Sequence, residues 1–202
     1  MLASINPLGE RGRNQRYALT VAAHVAGSTA AGALLGAALG AVGSSFATPA
    51  VAFTGLLVVL VGGLALDAAV ARARPSGIRV PGPRRQVNED WLATYRGWVY
   101  GAGFGAQLGA GFATVVVGSI TWVVFATALL SGSSLAGALV GATFGMARGL
   151  SILLAAPARD SASLSALFRR LERARPRVTR AGIVGQAAAS VVLLAALTSR
   201  IA

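Results

Sequence analysis

Arg148, Asp67, His24, Gln107 and Thr114 are polar side chains set inside, or at the borders of, long apolar runs, and they are where this sequence has chemistry to offer. Arg148 stands in Met146-Ala147-Arg148-Gly149, with the apolar run continuing about two helical turns beyond it. A cation at the centre of a bilayer costs ~2.5–3.5 kcal/mol on insertion scales, and less near the interface. Arg148 must therefore face other helices or snorkel to the headgroups; lining a path, it would attract an anion. Asp67, near the cytoplasmic end of the second run, sits at comparable depth and could pair with Arg148; the alternative for both is a role in substrate or proton movement. His24 titrates near neutrality where water reaches it, so it is either a proton relay or a packed, hydrogen-bonded ring. Gln107 and Thr114 are polar liners within a glycine-rich stretch. With no cysteine and one histidine, neither a thiolate or histidine metal site nor a thiol relay can be assembled from this chain alone. No cluster of acids and bases suggests hydrolysis or group transfer, so the expectation is a protein that is not an enzyme, with no cofactor and no metal.

The elements that would position these residues are membrane spans. The chain is 55% hydrophobic and 12% charged, with a mean hydropathy of +0.68, values outside those of an ordinary soluble domain. Apolar runs cover residues 17–43, 50–70, 98–130, 134–156 and 181–199, and a helix of ~20 residues crosses the hydrocarbon core. The expected fold is an all-α, polytopic helical membrane protein with five transmembrane helices.

Arginine sets the orientation. Arg11, Arg13 and Arg16 precede the first run; Arg72, Arg74, Arg79, Arg84, Arg85 and Arg96 follow the second; Arg159, Arg169, Arg170, Arg173, Arg175, Arg177 and Arg180 follow the fourth. The connections 44–49 and 131–133 carry none. Basic residues in short loops stay cytoplasmic, which places the N-terminus inside and the C-terminus outside. The basic N-terminal segment 1–16 and loops 71–97 and 157–180 are then cytoplasmic, and 17–202 form a single transmembrane domain. A net charge of +12 raises the possibility of nucleic acid, but arginines beside apolar spans belong to a bilayer, and no nucleic-acid partner is expected. The first run is too long for a signal-peptide core of ~7–15 residues and reads as a retained anchor.

The run 98–130 does not fit a simple rod. With Gly97 it would extend roughly 50 Å as one helix, against a core of ~30 Å. Its glycines, with Gln107 and Thr114 among them, mark where a break is cheapest. Two readings stand: a broken helix, of the kind transporters use as a binding site, or a long kinked helix with a glycine face. Glycine also recurs every fourth residue at Gly32, Gly36 and Gly40, at Gly101, Gly105 and Gly109, and at Gly137, Gly141, Gly145 and Gly149. Residues four apart share a helix face, and small residues there let apolar helices approach closely, so three helices are expected to join through these seams.

At the membrane surface, Trp91, Tyr95, Trp98 and Tyr100 suggest an aromatic belt at headgroup depth. In 161–175, Leu164, Leu167, Phe168 and Leu171 share a face flanked by Arg169, Arg170, Arg173 and Arg175. That pattern predicts a short amphipathic helix lying on the leaflet, its arginines on anionic headgroups.

The stretch 101–156, GAGFGAQLGAGFATVVVGSITWVVFATALLSGSSLAGALVGATFGMARGLSILLAA, resembles the second half of the DsbD/CcdA-type cytochrome c biogenesis transmembrane proteins. It shares their glycine-rich entry, an apolar helix, a small-residue turn at Ser131-Gly132-Ser133 and a closing Gly149-Leu150-Ser151, where the family has proline for Ser151. Residues 13–43 are similar to the family's second helix, and Phe53-Thr54-Gly55-Leu56-Leu57 through Gly62-Gly63 to its third. The resemblance implies six spans, the first bearing a cysteine, of which MLASINPLGE matches only the trailing end. Removing one span from an N-out, C-out protein leaves the orientation that arginine indicates. Around Ala113-Thr114-Val115-Val116-Val117, where the family's second reactive cysteine falls, there is neither cysteine nor proline. Thiol–disulfide exchange needs a thiolate and a disulfide, so the family's redox step does not carry over.

The sequence therefore points to a multi-pass protein in the plasma membrane of a bacterium. One reading is a small transporter or permease with a site at the glycine-rich break of the third run. The other is a non-transporting scaffold or subunit docking a membrane partner, including a redox protein that brings its own cysteines.

Overall fold

The structure, a computed structural model, describes residues 4–72, 90–111 and 118–201. The chain is all-α and polytopic. In chain order the helices are α1 (Pro7–Gly12), α2 (Tyr17–Gly43), α3 (Pro49–Arg72), α4 (Trp91–Thr94), α5 (Gly97–Gly109), α6 (Ile120–Leu130) and α7 (Ser134–Leu150). A 3-10 turn, Ser151–Ala155, extends α7, and α8 (Ser161–Ile201) ends the chain. Four helical segments are long and apolar enough to cross a membrane by length and composition: Tyr17–Gly43, Pro49–Arg72, Ser134–Ala155 and Ser161–Ala196.

α2 is the centre of the bundle, with α5 and α7 packed directly on its backbone. A Cβ added to Gly32 would meet the carbonyl of Gly141, one on Gly36 that of Gly137, and one on Gly40 that of Ser133, so α7 runs antiparallel to α2. On the other side, Gly101, Gly105 and Gly109 lie against the backbone of Thr20, His24 and Ser28, so α5 runs parallel to α2. Three helices thus approach to backbone contact, which dispersion and weak polar contacts can reward where lipid provides no hydrophobic drive. Ser28 strengthens the seam by donating to the Gly145 carbonyl at 2.6 Å. α6 packs between α2, α3 and α7, and α3 carries α8 on its outer side.

Among its described residues, run 98–130 forms two helices. α5 ends at Gly109, opposite Ser28 near the midpoint of α2, and Gly111 takes φ +72°. That left-handed backbone is open to glycine at no steric cost, and Phe125 and Phe144 fill the space a side chain would need. α6 starts at Ile120. Neither α5, at 13 residues, nor α6, at 11, reaches across a core of ~30 Å alone. Gly132, at φ +59°, makes the turn from α6 into α7.

Two surface expectations are corrected. The amphipathic segment 161–175 is not a separate surface helix: it is the first part of α8, continuous through Pro176 for 41 residues. Pro176 forfeits the backbone bond to Glu172, but this is the polar, exposed stretch of the helix, where the vacated carbonyl is not sealed from solvent, and flanking arginines are good helix formers. Tyr100 is no headgroup anchor, being fully buried in the bundle. Trp91 turns inward with it, stacking on Phe104 at 5.9 Å and meeting Tyr95 edge-on at 5.7 Å. Near the N-terminus α1 folds back against the bundle, and Ile5 and Glu10 are buried. Within loop 71–97, residues 73–89 lie outside the described residues.

Candidate functional site

The polar residues gather at two places. One is the interrupted helix. The N–H of Ser119, at the start of α6, donates to Asp67 Oδ1 of α3 at 3.0 Å, and the Ser119 hydroxyl donates to Oδ2 at 2.8 Å. Gln186, from the apolar half of α8, donates to Asp67 Oδ2 at 3.3 Å and to Ser119 Oγ at 3.0 Å. The amino end of α6 has unpaired N–H groups and partial positive charge, and Asp67 supplies the acceptor and the opposite charge. Ser119 and Gln186 are both buried, so three helices are joined by a polar knot next to the break. Asp67 therefore does not pair with Arg148. Among the described residues the ion pairs are Arg13–Glu10 and Arg175–Glu172.

Arg148 sits half-buried on α7, its guanidinium 5.2 Å from the centre of the Phe144 ring, close enough for a cation–π contact. Phe144 also borders Gly111, so Arg148 and Asp67 approach the interrupted helix from different neighbours. His24 is 1% exposed and faces α5, where the carbonyl of its own residue touches Gly105. Gln107 lies on α5, half-buried. Thr114 lies outside the described residues. The cavity bordering the break, lined by Leu35, Leu39, Val124, Phe125 and Phe144 with seam glycines, measures only about 10 Å³.

The second gathering is at the opposite end of α5. The Glu10 carboxylate, 0% exposed, accepts from Arg13, Thr20 and Tyr100, each at 2.6 Å. Burial acts to lower the Arg13 pKa, but its hydrogen bonds to Glu10 and Tyr100 outweigh burial and raise it. The ring of Tyr100 also lies 5.8 Å from the Arg13 guanidinium. Gln15 caps α5 by accepting from the Gly97 N–H at 3.0 Å. Ile5, Val21, Tyr100, Phe104 and Ile152 form the apolar core around this network.

Ser119, Gln186, Glu10 and Tyr100 escape a reading of the sequence. Gln186 had a signal: it is the one amide in an otherwise apolar run. Glu10, in a segment read as a basic cytoplasmic N-terminus, had none. Among the described residues no group of three or more His, Cys, Asp or Glu side chains could hold a metal ion.

No model of a known protein family matches the chain, and no solved structure matches it. It is 33% identical over 184 residues to the methylamine utilization protein MauF of Paracoccus versutus, an alignment that takes in 85% of this chain and spans 64% of MauF's length.

Proposed function

We propose that the chain is a non-catalytic subunit of a bacterial plasma membrane, N-terminus inside, that serves a partner protein. Such a partner would bring its own reactive groups, including the cysteines that a DsbD/CcdA-like relay requires and this chain does not have. The observation that carries the reading is the tight seam among the described helices α2, α5 and α7. α2, α5 and α7 meet backbone to backbone, and among the described residues the cavity lined by their seam glycines with Phe125 and Phe144 is about 10 Å³, far below the ~300–1,000 Å³ of ligand pockets. Similarity to MauF adds a setting, methylamine utilization, in which such a subunit would act. The arginine-bearing starts of α2 and α5 share one end of the bundle with the close of α7, consistent with a single cytoplasmic face.

A second reading, a small permease, draws on the polar knot. Asp67, Ser119 and Gln186 converge where a helix is interrupted, the arrangement transporters use for ion and substrate sites. Arg148 would add an anion-attracting charge, and Gln107 and Thr114 polar lining.

Arg148→Gln separates the two. The gene is disrupted in its own host and growth on methylamine is measured, with uptake of radiolabelled methylammonium into membrane vesicles as a second readout. A subunit loses growth on disruption and regains it with wild type and with R148Q alike, uptake being unaffected throughout. A permease loses uptake in R148Q while the protein still inserts.

A further inference from the structure

We propose that the arginine-bearing end of the bundle holds a binding site for a phosphate-bearing anion, gripped between Arg11 of α1 and Arg159 of the link into α8. The site is independent of both readings above. A cavity of about 420 Å³ lies there, within the ~300–1,000 Å³ range of small-molecule sites. Its walls come from opposite ends of the chain: Leu8, Arg11, Gln15 and Tyr17 on one side, Ala158 and Arg159 on the other.

Charge in this groove is unbalanced. Arg11 and Arg159 are exposed, and neither takes part in the ion pairs of the described residues. Both neighbouring acids are already committed. Glu10 is sealed among Arg13, Thr20 and Tyr100, and Asp160 accepts from the Ser163 N–H at 2.7 Å to cap α8. The polar groups at the back are also committed: Gln15 to the Gly97 N–H, and the Tyr17 hydroxyl to the Ile152 carbonyl at 3.4 Å. What the groove leaves open is two guanidinium groups above an apolar wall of Leu8 and Ala158. A guanidinium is a planar fork of donors that matches phosphate oxygens, and the apolar wall suits the first methylenes of a lipid's acyl chains. The groove opens where the apolar parts of α2 and α7 give way to the polar end of the bundle, the depth at which basic pockets between helices meet phospholipid headgroups. The same chemistry would accept free phosphate.

The test is thermal unfolding of the purified full chain in a neutral detergent, with three additions: phosphatidylglycerol, phosphatidylcholine, or inorganic phosphate. Native mass spectrometry counts bound lipid in parallel. Wild type is expected to retain phosphatidylglycerol and be stabilised by it, and Arg159→Gln to weaken retention about tenfold, as loss of one charge-assisted contact implies. Arg11→Gln/Arg159→Gln should abolish retention, Arg11→Lys/Arg159→Lys should restore part of it, and Arg169→Gln/Arg170→Gln should leave it intact. Stabilisation by inorganic phosphate alone, lost in the same double variant, supports the site with a free anion as its source. Equal stabilisation by phosphatidylcholine, no stabilisation by either anion, or retention that survives R159Q and the double variant overturns it. Both arginines are exposed and bear no part of the core, so the variants are expected to fold; R159Q, on a surface link, decides the matter if the double variant does not.

Discussion

The hydroxyl of Tyr100 donates to the buried carboxylate of Glu10 at 2.6 Å, across ninety positions of sequence. This contact bolts α1 to α5, and through Thr20 to α2, so the short first helix is part of the folded body. Tyr100→Phe removes a hydrogen bond to a charged group and should cost about 1.5–3 kcal/mol. Glu10→Ala should cost more, because Arg13 and the Thr20 hydroxyl also lose their acceptor. A double-mutant cycle by thermal unfolding in detergent should show strong coupling between positions 10 and 100, and additivity would refute the bolt.

The glycine seam makes a sharper prediction. Gly36→Leu drives a side chain into the Gly137 carbonyl, and overpacking costs ~1–3 kcal/mol even in forgiving cores. Here the obstacle is backbone, so the variant should exceed that range and leave α7 open to protease. Gly62→Ala is the control: nothing lies within 4 Å of the position a Cβ would take, and helix propensity should make the change neutral or stabilising by up to ~1 kcal/mol.

Gln186→Ala should loosen α8 from α3. It removes donors to Asp67 and Ser119; the half-buried Asp67 keeps its two bonds from Ser119, and the loss at the buried Ser119 oxygen costs about 1 kcal/mol. Hydrogen exchange should rise along the apolar part of α8 and at the start of α6, and stay unchanged along the α2–α7 seam. Uniform protection would show that apolar packing alone holds α8.

The start of α8 should respond to acid. Hydrogen bonds from the Ser163 backbone and side chain hold Asp160 below its usual carboxylate pKa. A depressed folded-state pKa means that the cap's contribution is present above the unfolded value, near ~4, and is lost as pH falls through the folded value. Exchange at residues 161–165 should therefore increase as pH drops below ~4, once corrected for intrinsic exchange rates. Asp160→Asn should remove the pH dependence while keeping most of the cap. The same dependence in D160N would assign it to another group.

Residue chemistry alone determined a good deal of this protein. Charge-poor apolar runs of ~20 residues pointed to an all-α polytopic fold, because a run of that length crosses lipid as a helix, which satisfies its backbone groups within one segment. Glycines four apart share a face of any helix, wherever that helix is placed. The polar sites were another matter. Pairing of Asp67 with Arg148 stayed one option among others because linear depth was the only guide, and depth does not say which way a side chain turns around its helix. The packing of α3 turns Asp67 to the start of α6 and to Gln186, and that of α7 sets Arg148 over Phe144. Glu10 was illegible for the same reason: an acid beside arginines reads as solvated until α1 folds back beneath Tyr100. The continuity of α8 through Pro176 was likewise a balance, one lost hydrogen bond against a long helix docked along α3. Periodicity is local and survives in the sequence; which faces meet depends on contacts between residues far apart in the chain, and only the tertiary structure decides those.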